Sequence, residues 1–181
     1  MLKDYLESGR YTRGRQLATA DAGMMLLGNV PIDSSGIPSE GIIFRKLPEF
    51  LQETAFIDRL HGVLPGWELP RITTKAPARG IGFKADFFAE VLHALRDRGG
   101  YSEYVASHLK ITGTDDMRDK KAIERLVSAY LKLLFPDLRL TGAEFEKYCI
   151  EPAVKLRQGI RDQLSRMDPE YKIVSIHSEL S

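Results

Sequence analysis

No G-x-x-x-x-G-K-[ST] phosphate loop occurs anywhere in the 181 residues, and no apolar strand ends in the paired acids that would hold Mg²⁺. The chain therefore lacks the means to hydrolyse a nucleotide alone. No G-x-S-x-G elbow singles out a nucleophilic serine. Four histidines, His61, His93, His108 and His177, are dispersed without metal-ligand spacing, so no metal site is indicated. The one cysteine, Cys149, excludes an internal disulfide; lying between Tyr148 and Ile150 in a helical pattern, it reads as a packed, reduced thiol. No apolar stretch approaches the roughly 20 residues needed to span a bilayer, and the N-terminus lacks a signal-peptide layout. The expected location is cytoplasmic, with no membrane partner. Basic and acidic residues nearly balance, 26 against 25, so any contact with nucleic acid has to be local.

What is present is enough for a core: 43% of the residues are hydrophobic. Residues 1–9 read as the end of a helix closed by Gly9, with no capping residue of their own, and a segment preceding Met1 is expected. Arg10, Arg13 and Arg15 cluster in a polar run, residues 10–22, that suggests an exposed hairpin or loop, with a solvated connector as the alternative. Gly23-Met24-Met25-Leu26-Leu27 is uninterrupted apolar sequence, the mark of a strand covered on both faces of an α/β sheet. Turn residues dominate 31–41, and Ile42-Ile43-Phe44 reads as a second short strand. Residues 47–62 read as helical, with Phe50, Leu51, Phe56, Ile57 and Leu60 able to share an inward side and Thr54 a candidate cap for a second short helix. Two prolines and a glycine between Leu64 and Pro70 then make a rigid bend, anchored by Trp67.

Beyond residue 80 the pattern is helical. Phe88, Val91, Leu92 and Leu95 form an i, i+3, i+4, i+7 stripe ended by Gly99-Gly100. Residues 102–109 make a shorter helix, and Thr114, Asp115 and Asp116 are candidate caps for a long one with Ile123, Leu126, Val127, Tyr130, Leu131 and Leu134 on one face. Thr141-Gly142-Ala143-Glu144 has the form of a capping box, and Pro152 has to kink or split the helix that follows. Residues 168–181 read as a tail, with an edge strand at 172–176. The fold class is α/β plus α: the C-terminal part of an α/β core, with one or two parallel strands and their helices, then a bundle of roughly four helices.

Three polar residues stand where phosphate chemistry would need them. Asn29 follows the buried apolar run, at the strand end where α/β proteins bind ligands, though Gly28-Asn29 is also an ordinary turn pair. Arg59 projects away from inward-facing Ile57 and Leu60; its planar fork suits phosphate oxygens, and the alternative is a surface pair with Asp58 or Glu53. Arg118 occupies the first turn of the long helix, where the dipole favours acids, so something such as phosphate is expected to hold it; a solvated patch is the alternative.

Taken in order, Tyr5-Leu6-Glu7-Ser8-Gly9-Arg10-Tyr11-Thr12-Arg13-Gly14, the run ending in Gly28-Asn29, the block Asp58-Arg59-Leu60-His61-Gly62-Val63-Leu64-Pro65-Gly66-Trp67-Glu68-Leu69-Pro70 and Met117-Arg118-Asp119 resemble an AAA+ ATPase. More closely, they are similar to the Lon-like AAA+ proteins of bacterial BREX phage-defence systems, from beyond the Walker B strand through the helical lid. The resemblance implies Asn29 as sensor 1, Arg59 as an arginine finger supplied in trans, Arg118 as the sensor 2 arginine of the lid, and Arg10, Arg13 and Arg15 as a hairpin facing a ring's pore. It implies ATP with Mg²⁺ in the full-length protein, a homo-oligomeric ring, and DNA or protein as the substrate remodelled. Residues 1–70 would end the α/β core, 71–167 form the lid, and 168–181 lead toward a missing C-terminal protease-type domain. A noncatalytic helical interaction module is the rival reading.

Overall fold

The computed structural model describes residues 2–20 and 22–180. Helix α1 (Leu2–Ser8) ends at Gly9, whose φ of 66° lets its N–H reach the Tyr5 carbonyl at 2.8 Å. Strands β1 (Arg10–Arg13) and β2 (Gln16–Thr19) follow as an antiparallel hairpin turned at Gly14. The short α2 (Thr54–Ile57), α3 (Ala85–Arg96), α4 (Gly100–His108) and β3 (Leu109–Thr112) lead to the long α5 (Met117–Leu134). A further helical stretch runs α6 (Gly142–Phe145), a π-helical turn (Glu146–Ile150) and α7 (Glu151–Met167). Strand β4 (His177–Leu180) then pairs antiparallel with β3. The mixed α/β organisation with a helical C-terminal part holds.

Two cores form, and α7 belongs to both. The first gathers Tyr101 and Val105 of α4, Ile123, Val127 and Leu131 of α5, Phe145, Cys149 and Ile150 from the π-turn region, and Ala153 at the start of α7. The second gathers Phe44, Leu51, Phe56 and Ile57 against Ile160 and Leu164, further along α7. Each fully buried aliphatic or aromatic side chain here is worth about 1.5–3 kcal/mol. Burial pushes the Cys149 thiol up to about 11, in keeping with a packed, reduced side chain.

The caps follow their chemistry. Asp116 accepts from the Arg118 N–H at 2.8 Å to start α5, and Thr141 and Glu144 close a full capping box at α6. Pro152 sits in the first turn of α7, where a missing N–H costs little, and the widened π turn lies just before it.

Four sequence expectations give way. Residues 23–27 form no regular element and pair with no described strand, with Met25 77% and Leu27 88% exposed; a strand buried on both faces needs paired neighbours and covering layers, and both sheets among the described residues are two-stranded and antiparallel. No parallel strand occurs among the described residues. Ile42-Ile43-Phe44 enters a 3₁₀ turn (Ile43–Lys46) that buries Phe44, because the Ile43 N–H is taken by the Gln163 side chain at 2.8 Å. The 47–62 helix is broken into a 3₁₀ turn (Glu49–Leu51) and α2; Phe50 faces solvent, and the Gln52 amide donates to the Arg45 and Leu47 carbonyls in place of helical bonds. The edge strand of the tail lies at β4, five residues later than expected at its start. Its approach is fixed by Gln158, which donates to Val174 O and accepts from Ile176 N–H. Gly113, at φ 81°, is needed where β3 ends, because a Cβ there would run into the Ser175 carbonyl.

Candidate functional site

Between α1, the end of α2 and the first turns of α5 lies a cleft of about 340 Å³. Its lining includes Glu7, Asp58, Arg59, His61, Arg118, Lys121 and Arg125. Arg59 and Arg118, distant in sequence, thus open into the same space. Asn29 does not line it; it is exposed beyond the apolar run. Arg10 and Arg15 are exposed on the β1–β2 hairpin, and the side chain of Arg13 lies outside the described ones.

Arg59 and Arg118 each rest on a carboxylate. Arg59 donates through Nε to Glu7 Oε2 at 2.9 Å, with Nη2 at 2.8 Å from the same oxygen, and its Nη1 donates to the Ala55 carbonyl. Its partner is therefore neither Asp58 nor Glu53; Glu53 pairs with Lys3. Arg118 donates through Nη1 to Asp58 Oδ2 at 3.1 Å. In the first turn of α5, where the dipole argument expects an anion to hold the Arg118 cation, the Asp58 carboxylate is in contact with it. Glu7 is 56% and Arg118 46% exposed, whereas their partners Arg59 and Asp58 are 18% and 2% exposed, so each pair presents one solvent-facing group to the cleft.

Behind the cleft the ion pairing turns inward. Arg157 of α7, wholly buried, donates Nη2 to Asp58 Oδ1 at 2.8 Å and Nε to Asp119 Oδ1 at 2.7 Å. Its Nη1 donates to the Asp58 and Leu60 carbonyls at 2.9 and 2.7 Å. Asp119 also accepts from the Thr114 hydroxyl at 2.7 Å, with Arg161 Nε 3.4 Å from Oδ2. Arg161 reaches Asp116 as well, and its guanidinium lies over the Tyr171 ring. Burial and the Asp58 charge push the Tyr171 hydroxyl above its usual range.

His61, at the cleft wall, has Nε2 at 3.1 Å from Arg125 Nη1. Burial, then the charges of Arg125 and Arg157, hold its imidazole below the ordinary histidine range. A neutral ring accepts from Arg125 at Nε2 and carries its proton on Nδ1. The cleft thus sets three guanidinium groups and the Lys121 ammonium beside the carboxylates of Glu7, Asp58 and Asp116, around one neutral imidazole. Mg²⁺ finds no holder among the described residues: Asp58 and Asp119 are committed to guanidinium donors, and no group of three metal-ligating side chains converges.

The sequence reading missed Asp58, Asp119, Arg157 and His61. A signal existed for two of them. Arg157 falls on the same helical face as Ala153, Ile160 and Leu164, and Asp119 precedes Ile123 by four; a charge inside a buried stripe has to be paired.

Arginines gathered where a short α/β segment meets a helical bundle suit a phosphate-handling ATPase domain of the AAA+ class. Residues 1–177 match the family described as Lon-like protease BrxL-like, ATPase domain, and the chain belongs to that family. Lon-like protease BrxL of Escherichia coli O9:H4 (strain HS) is 29% identical over 167 residues, covering 92% of this chain and 24% of that protein. Lon-like protease BrxL of Bacillus cereus (strain H3081.97) is 30% identical over 172 residues, with 92% and 25% covered. The chain spans about a quarter of the length of these relatives. No described helix is long and apolar enough to cross a membrane.

Proposed function

We propose that this chain supplies phosphate-directed arginines to ATP hydrolysis in a ring-forming AAA+ motor of phage defence. The observation that carries the reading is the convergence of Arg59 and Arg118 on one cleft, each in an ion pair with one solvent-facing partner. Arg118, on the first turn of α5, is the sensor 2 arginine; leaving Asp58 for a phosphate oxygen exchanges one anion for another. Arg59, freed from Glu7, is the finger that reaches a neighbouring subunit's nucleotide, which requires head-to-tail packing of identical subunits. Asn29, as sensor 1, has to be brought to the phosphates by the neighbouring strands of a complete sheet. The remaining elements of the site, including the holder of Mg²⁺, come from outside these residues.

The test is Arg59→Ala in the full-length protein. Turnover should fall by about 10³–10⁵-fold, the usual worth of an arginine finger, with nucleotide binding retained. Unchanged turnover sinks the finger role. The Arg10, Arg13 and Arg15 hairpin leans the remodelled substrate toward DNA. Binding of duplex DNA by the ring should then weaken steeply with salt, and replacing the three by glutamine should flatten that dependence; an unaltered slope points to a protein substrate.

A further inference from the structure

Arg157 grips the chain at two places whose neighbours are the cleft arginines. Asp58 immediately precedes Arg59, and Asp119 immediately follows Arg118; both carboxylates accept from the one buried guanidinium. The same guanidinium also takes the Asp58 and Leu60 carbonyls, so the backbone on either side of Arg59 is fixed from behind. We propose that Arg157 is a positioning residue, setting the distance and orientation between Arg59 and Arg118 so that both can act on phosphate.

Its place in the fold fits that role. On α7 it lies between Ala153, which packs in the first core, and Ile160, which packs in the second. An apolar residue there would join the two cores with less desolvation, since replacing a buried ion network by well-packed apolar side chains is often neutral or stabilising. A network retained at such a seam fixes register instead. Asp58 shows how: its Oδ1 is held by buried Arg157 and its Oδ2 by exposed Arg118, so the carboxylate is anchored before Arg118 leaves it. The fork geometry matters more than the charge, because the four bonds run to two carboxylates and two carbonyls in a fixed fan.

This inference rests on the proposed ATPase role, and the experiment separates the two. In the full-length protein, Arg157→Lys keeps the charge and loses the fork. Turnover at saturating ATP should fall about 100-fold, as expected when catalytic groups are displaced by about 1 Å, with KM changed less than about threefold and the thermal midpoint within about 5 °C. If Arg157→Lys does not fold, Asp119→Asn, which leaves an oxygen for Arg157 Nε, is judged by the same criteria. Unchanged turnover in a folded variant overturns the proposal, as does a fall in turnover matched by an equal rise in KM. Failure of both variants to fold assigns the network to stability alone and also overturns it. Arg59→Ala run in parallel distinguishes the causes. If it too retains turnover, the reading of the cleft has failed; if it alone abolishes turnover, only the positioning role has.

Discussion

Helix α5 buries Ile123, Val127 and Leu131 against α4 and the helical stretch that contains Phe145 and Ala153, whereas α3 carries Phe88, Val91, Leu92 and Leu95 at the same helical spacing and buries none of them. The contrast extends beyond the two helices. Every residue from 68 to 91 is exposed, including Ile81, Phe83 and Phe87, while each helix from α4 to α7 buries at least one apolar residue. The two amphipathic helices differ in their neighbours, not in their own patterns. A helix that touches the first core only near its end, through half-buried Leu95, draws little of its stability from packing, so α3 should open at much lower free energy than α5.

The largest expected effect comes from breaking the better-packed side. Leu131→Ala on α5 should cost about 2–5 kcal/mol, because a wholly buried side chain leaves a cavity in a shared core. Phe88→Ala on α3, where Phe88 is 47% exposed, should stay within about 0.5 kcal/mol despite removing a larger side chain. Urea unfolding of both variants measures the difference. Equal costs would mean that α3 is covered in solution.

Helix ends sharpen the same comparison at smaller magnitude. The α6 capping box should lose about 1 kcal/mol on Thr141→Ala. α3 begins at Lys84 with no side-chain cap, so Lys84→Asp should add stability of about 1 kcal/mol there, read as slower amide exchange within α3. No change in exchange would place the weakness of α3 in its missing contacts alone.

How far the sequence could be read follows the same division. The long α5, a cap for it among Thr114, Asp115 and Asp116, and the Thr141 to Glu144 box were legible because each is specified by residues near one another. The run at Met24 to Leu27 was not, because a buried strand is defined by partners, and the described residues supply none. The pairing of β3 with β4 joins residues far apart in the chain, beyond the reach of local periodicity. In the cleft, Arg118 was singled out by its poor fit to the helix dipole and Arg59 by projecting away from inward-facing Ile57 and Leu60, while Asp58, Asp119 and Arg157 form one network only after α7 packs across both cores.

The smallest expected effect lies at the cleft wall. His61 is held below the ordinary histidine range by burial and by Arg125 and Arg157, so the folded state favours the neutral ring. In the unfolded chain the imidazole titrates near 6.5. Above that pH both states are neutral and the group contributes no pH dependence. Below it the unfolded chain takes up a proton that the folded protein resists, so stability falls as pH drops from 6.5 toward the folded value. His61→Gln removes this linkage while leaving an acceptor for Arg125. Urea midpoints compared at about pH 7.5 and pH 5 should therefore drop less in the variant than in the parent. Equal drops would mean that Arg125 swings away as His61 is protonated, and that the cleft accommodates a charged imidazole beside its arginines.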